Sequence, residues 1–209
     1  MPERSRMYFF SFDTTISISA SAAANVGAAG AGVAPTAQLR VVLIDGAGID
    51  TARAMPAWDA LCARGLDLTV DVGFPTVSLP VELALWTGRT QQQHGVLYHA
   101  TGTPLPPPPD SIPAQVPDAI AIAESHSYIV HSLGFPHTLP PTPAKTLPDK
   151  WADTWVDTAV AAVGGPARLV FVHVLRVDTA GHRAGKRSTA WRDAAASASR
   201  SSSAGQRTA

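Results

Sequence analysis

Two stretches of the chain are almost continuously apolar and β-branched. They are Leu39-Arg40-Val41-Val42-Leu43-Ile44 and Arg168-Leu169-Val170-Phe171-Val172-His173-Val174-Leu175. Such runs read as strands buried on both faces of a parallel sheet. Each leads into an aspartate, Asp45 after the first and Asp178 after the second. Between them the periodicity turns helical. Thr51 to Arg64 places Met55, Trp58, Leu61 and Cys62 on one face, with Gly65 as its stop. Leu66 to Val72 reads as a further strand. A helix follows Ser78 and runs to about Thr87, with Pro80 in its first turn and Gly88 at its end. Gln115 to Glu124 is expected to be helical and Tyr128-Ile129-Val130 to be a short strand. Asp149 to Val163 is expected to be a helix that buries Trp151, Trp155 and Val163 and is closed by Gly164-Gly165. Strands alternating with helices predict an α/β fold, a mostly parallel sheet flanked by helices. In that architecture ligands gather beyond the carboxyl ends of the strands, where Asp45 and Asp178 both fall.

Other stretches lack this pattern. Residues 104–109 and 136–148 are rich in proline and read as loops. Residues 16–36 are nearly all Ala, Gly, Ser and Val, which offers little to bury against the entropy of ordering. Residues 194–209 hold no apolar side chain larger than alanine. The expected organisation is a low-complexity tail or linker over 1–38, one α/β domain over 39–193, and a disordered tail over 194–209.

Composition narrows the function classes. Of 209 residues, sixteen are basic and sixteen acidic, so there is no nucleic-acid footprint and no polybasic membrane patch. No apolar run is long enough for a membrane span. Arg4 and Arg6 precede the apolar Met7 to Phe12, but Asp13 interrupts it. This is a poor secretory signal, and it favours a cytoplasmic location over a secreted or periplasmic one. Cys62 is the only cysteine, which excludes an internal disulfide and a cysteine zinc cluster. A metal site must therefore use Asp, Glu, His or hydroxyl ligands.

Candidate chemistry centres on Gly73-Phe74-Pro75-Thr76-Val77-Ser78-Leu79-Pro80. A hydroxyl at a helix start is an ordinary N-cap. The same place suits a phosphate, because unpaired N–H groups and the positive end of the helix dipole converge there. Asp178 and His182 are four apart across Gly181, and a tight turn would point both donors inward as zinc or manganese ligands.

Val41-Val42-Leu43-Ile44-Asp45-Gly46, Met55-Pro56, Leu61 to Gly65, Phe74 to Pro80, Thr87-Gly88, His94-Gly95 and Asp178-Thr179-Ala180-Gly181-His182 together resemble the alkaline phosphatase superfamily. The resemblance is closest to its type I phosphodiesterase and nucleotide pyrophosphatase group, and it extends from Leu39 to Ala195. It implies an alkaline-phosphatase-like fold and a metal-dependent hydrolase of phosphoesters. The substrate would be a small-molecule phosphoester or nucleotide, and the cofactors two divalent ions, zinc or alternatively manganese. Ser78 would be the nucleophile bridging both ions, with Thr76 as the less well aligned alternative. Asp45 would bind the second ion, and Asp178 and His182 the first. His99 would steady a phosphoryl oxygen where this group often has asparagine, and His94 would support the loop. Val81 departs from the asparagine usual after the proline.

The resemblance also implies later ligands that this sequence does not supply. After His182 there is no histidine, and Asp193 is the only carboxylate; the earlier histidines His126, His131, His137 and His173 fall on other segments, with rescue by one of them left open. The fold and metal set therefore read as incomplete, and the alternative expectation is a catalytically inactive, truncated remnant. A sulfatase-like or phosphoglycerate-mutase-like relative is a third possibility, but Ser78-Leu79-Pro80-Val81-Glu82 lacks the arginine that sulfatases need.

Overall fold

A computed structural model of the chain describes residues 6–13, 15–20, 38–63, 66–98, 102–125, 127–139 and 149–204. In chain order the strands are β1 (Arg6–Asp13), β2 (Thr15–Ala20), β3 (Leu39–Ile44), β4 (Leu66–Asp71), β5 (Ile120–Ala123), β6 (His137–Thr138) and β7 (Leu169–Val174). The helices are α1 (Ile49–Arg53), α2 (Pro56–Cys62), α3 (Ser78–Thr87), α4 (Gln91–His94), α5 (Ser127–Ser132), α6 (Asp149–Val163), α7 (Arg176–Ala184) and α8 (Thr189–Ala204). They build one sheet in the order β4-β2-β1-β3-β7-β5-β6. β3, β7, β5 and β6 form its parallel part, β1 continues it beside β3, and β2 runs antiparallel to both of its neighbours. The chain is thus an α/β protein with a mostly parallel sheet and flanking helices.

The buried strands alternate sides, and this sorts the core into two layers. Val41, Leu43, Ala121, Leu169 and Phe171 pack with Leu79, Leu83 and Trp86 of α3 and with Ile129 of α5. Val42, Ile44, Ile122, Val170 and Val172 face Trp58, Trp155, Val177 and Trp191. Trp86 meets Phe135 and Phe171 edge-on, each at 5.3 Å between ring centroids. Such contacts add about 0.5–1.5 kcal/mol per pair beyond the area buried.

One polar residue holds two layers together. Arg40, wholly buried in β3, donates from Nε to Val163 O (2.7 Å), from Nη1 to Ala167 O (2.8 Å) and from Nη2 to Gly165 O (2.8 Å). It thereby satisfies carbonyls at and beyond the end of α6, which have no partner within the helix.

β3, α3 and α6 lie where the pattern predicts them, and Gly88 ends α3 in the left-handed conformation. Elsewhere the structure corrects the reading. The helix expected over Gln115–Glu124 is a single 3-10 turn (Pro113–Gln115) followed by β5, and the strand expected over Tyr128–Val130 lies within α5. Pro117 would break a helix there, and a run as short as Ile120-Ala121-Ile122-Ala123 suits a strand as well as a helix. The helix expected over 51–64 divides before Pro56, whose missing N–H and ring favour a new first turn over a helix interior. The supposed tail over 1–38 contributes β1 and β2. Thr15-Ile16-Ser17-Ile18-Ser19 alternates with the period of a strand. The segment from 194 onward, expected to be disordered, continues α8 to Ala204. Ala195 and Ala198 are buried in it, because alanine is both a strong helix former and small enough to pack closely. Residues 21–37, 140–148 and 205–209 and Gly65 lie outside the described residues. No helix among the described residues is long and apolar enough to cross a membrane.

Candidate active site

The site lies at the carboxyl ends of β3 and β7. Asp45 directly follows β3, its N–H donates to Val174 O at 3.0 Å, and its side chain is buried. Gly46 then turns the chain at φ +73°, and a Cβ there would stand 2.4 Å from Asp178 Cα. Only glycine permits both the turn and this approach. Trp191 Nε1 of α8 donates to Gly46 O at 3.2 Å and holds the turn from behind.

Asp178 sits in the first turn of α7, and that helix is anchored by Glu124. The Glu124 carboxylate accepts from Leu175 N (2.9 Å) and Arg176 N (2.8 Å) and pairs with Arg176 Nε. An anion on a helix N-terminus is favoured by both the free N–H groups and the dipole.

Ser78 is set by the loop before α3. Buried Gln91 of α4 donates Nε2 to Val72 O at 2.6 Å and to Pro75 O at 3.4 Å, which ties that loop down. His94 Nδ1 accepts from Val96 N at 3.1 Å, which leaves Nε2 to donate to Pro80 O at 3.1 Å. His94 therefore supports the loop. Burial lowers its pKa more than the Pro80 contact raises it, and Arg89 adds to the lowering. The cap of α3 is Val77, with no side-chain hydrogen bond. Ser78 is the first helical residue, and its Oγ instead donates to Asp45 Oδ2 at 2.7 Å. The N-cap reading of Ser78 is thus excluded.

Two further side chains complete the cluster. Glu82, one turn beyond Ser78, and His173, in β7, are both fully buried. His173 Nε2 lies 3.4 Å from Glu82 Oε1 and 3.9 Å from Asp45 Oδ2. The His173 ring stacks on Phe171 at 5.7 Å between centroids and 15° between planes, which fixes its orientation. Both Glu82 oxygens and both His173 ring nitrogens lack a hydrogen-bond partner among the described residues. A buried polar group left this way costs about 1–3 kcal/mol.

Protonation follows from this crowding. Burial pushes Glu82 up to about 8, with His173 opposing and Asp45 reinforcing the shift. Burial alone would lower the His173 pKa, but the charges of Glu82, Asp45 and Glu124 together raise it. Asp178 is pushed up to about 6 by burial and by the charge of Asp45, against His182 and His173.

Among the expected site residues, Asp45, Ser78 and Asp178 come together at one end of the sheet. His182 does not enter the cluster. Asp178 and His182 lie in the regular helix α7 and not in a tight turn. Their spacing brings His182 Nε2 within 3.3 Å of Asp178 Oδ1, while the imidazole stays 80% exposed. His99 lies outside the described residues. Glu82 is not singled out by the sequence, and His173 is one of the four earlier histidines that the sequence places on other segments. Asp45, Glu82 and His173 could hold a metal ion, since their ligand atoms all lie within 4.8 Å of one another. Two carboxylates and an imidazole suit a divalent ion of the zinc or manganese type. No protein-family model matches the chain, and no curated protein matches it in sequence.

Proposed function

We propose that the chain is a metal-dependent hydrolase of phosphoesters, with an alkaline-phosphatase-like arrangement and Ser78 as the nucleophile. The observation that carries this reading is the Ser78–Asp45 hydrogen bond at the start of α3. The hydroxyl is turned toward a buried carboxylate at a strand end and not toward its own helix. Ser78 Oγ would attack phosphorus, and the ester oxygen would leave with the alcohol or nucleotide. Water would then release the phosphoryl group from the serine. The first N–H groups of α3 have no acceptor within the helix and would receive the phosphoryl oxygens. A divalent ion bound beside Asp45 would acidify the hydroxyl and offset the charge on phosphorus.

The second reading is a non-catalytic metal-binding protein. It draws on the exposure of His182, which separates the Asp178/His182 pair from the buried ligands. Rates with bis-p-nitrophenyl phosphate and p-nitrophenyl phosphate, with zinc or manganese added, separate the two readings. Hydrolysis that needs metal and is lost in Ser78→Ala supports the hydrolase. Equal rates in the two proteins defeat it.

A further inference from the structure

We propose that Asp45, Glu82 and His173 form the ligand set of a single divalent metal ion, and that Asp178 and His182 lie outside its coordination shell. The inference concerns binding and holds whatever reaction the site performs.

Three separate elements deliver the three side chains to one place. Asp45 directly follows β3, Glu82 comes from the second turn of α3, and His173 is next to the last residue of β7, paired with Leu43 of β3 and Ala123 of β5. All three are buried, and four of their polar atoms have no hydrogen-bond partner among the described residues. A merely structural polar cluster satisfies its atoms with one another or with backbone. Here two carboxylates and an imidazole converge with their ligand atoms within 4.8 Å of one another. Ligand atoms around a tetrahedral zinc, each about 2.0–2.1 Å from the ion, are about 3.3 Å apart. Glu82 Oε1 and His173 Nε2 are 3.4 Å apart, and His173 Nε2 and Asp45 Oδ2 are 3.9 Å apart. All three ligand atoms lie within 4.8 Å of one another, so the side chains would draw together around the ion on binding.

Charge points the same way. Asp45 and Glu82 lie together with one imidazole between them, and a divalent cation turns the repulsion of the two carboxylates into attraction. The alternative pair is weaker on each count. Asp178 and His182 come from one helix, supply two donors, and include an imidazole that stands mostly in solvent. Ser78 Oγ, hydrogen-bonded to the Asp45 carboxylate, would be the neighbouring hydroxyl that such an ion acidifies.

The test is equilibrium dialysis of the full chain, first stripped with chelator, against cobalt(II) and against zinc. One ion per chain is expected, with binding weakened at least ~10-fold in Glu82→Gln and in His173→Gln. His182→Ala is expected to bind as the parent does, and because that residue is exposed the variant does not depend on core packing. Far-UV circular dichroism establishes that each variant is folded. A folded parent that binds no ion would make the trio a buried ion pair and overturn the proposal. Two ions per chain, or equal weakening in His182→Ala and Glu82→Gln, would overturn it as well. None of these outcomes depends on turnover, so the binding result stands apart from the hydrolase assay.

Discussion

Ser78 separates a helix cap from a reactive hydroxyl by a single hydrogen bond. Because Val77 occupies the cap, Ser78→Ala should cost α3 little stability. If Ser78 is the nucleophile, the same change should lower turnover by roughly 10³-fold or more, read from initial rates at saturating metal. Protonation supplies a second residue-scale prediction. Folding raises Glu82 from the usual 4.5 to about 8 and Asp178 from 3.8 to about 6, and it raises His173. From about pH 4 upward the unfolded chain therefore releases protons that the folded chain keeps, so stability falls as pH rises. For His173 the sign is the same, since stability present below its ordinary pKa is lost as pH climbs through the folded value. The chelated protein is expected to have a higher urea midpoint at pH 5 than at pH 8, and Glu82→Gln should flatten that slope. A midpoint that rises from pH 5 to pH 8 would contradict the burial of these groups.

At the scale of elements, the site depends on α8 as much as on the strands. Trp191 reaches from α8 to the Asp45–Gly46 turn, and that turn presses on the first turn of α7. Trp191→Phe removes one hydrogen bond and leaves a cavity where the larger ring packed, and should cost about 2 kcal/mol of stability. Gly46→Ala should cost more, about 2–4 kcal/mol, because it combines a left-handed backbone with an impossible approach to Asp178. Denaturant titration of both variants checks this order. α8 is not legible as an element because large apolar residues are the usual mark of burial, whereas it packs through Trp191, Ala195 and Ala198. Glu82 and His173 did carry local signals. Glu82 follows Ser78 at i+4 on a helix otherwise buried through Leu79, Leu83 and Trp86, and His173 shares the inward side of its strand with Phe171. Their meeting required the sheet order, with β7 between β3 and β5, and no local pattern contains that.

For the whole molecule, the parallel part of the sheet was legible because uninterrupted β-branched runs have few other uses. Asp45 and Asp178 were legible with it, as residues just past strand ends. The strands β1 and β2 were hidden by low-complexity sequence around them, although Thr15 to Ser19 alternates. The link between layers rests on Arg40. Arg40→Met would leave the Val163, Gly165 and Ala167 carbonyls without their charged donor and should cost about 3 kcal/mol or more. Its urea midpoint should drop while metal stoichiometry stays unchanged. The hydrolase reading itself is tested most directly on Ser78. The metal-loaded chain would be acid-quenched during turnover of bis-p-nitrophenyl phosphate and its peptides analysed by mass spectrometry. The expected result is a p-nitrophenylphosphoryl group on the Ser78 peptide, absent after chelation and absent in Ser78→Ala. Metal-dependent turnover with no adduct on that peptide, and at the same rate in Ser78→Ala, would contradict it.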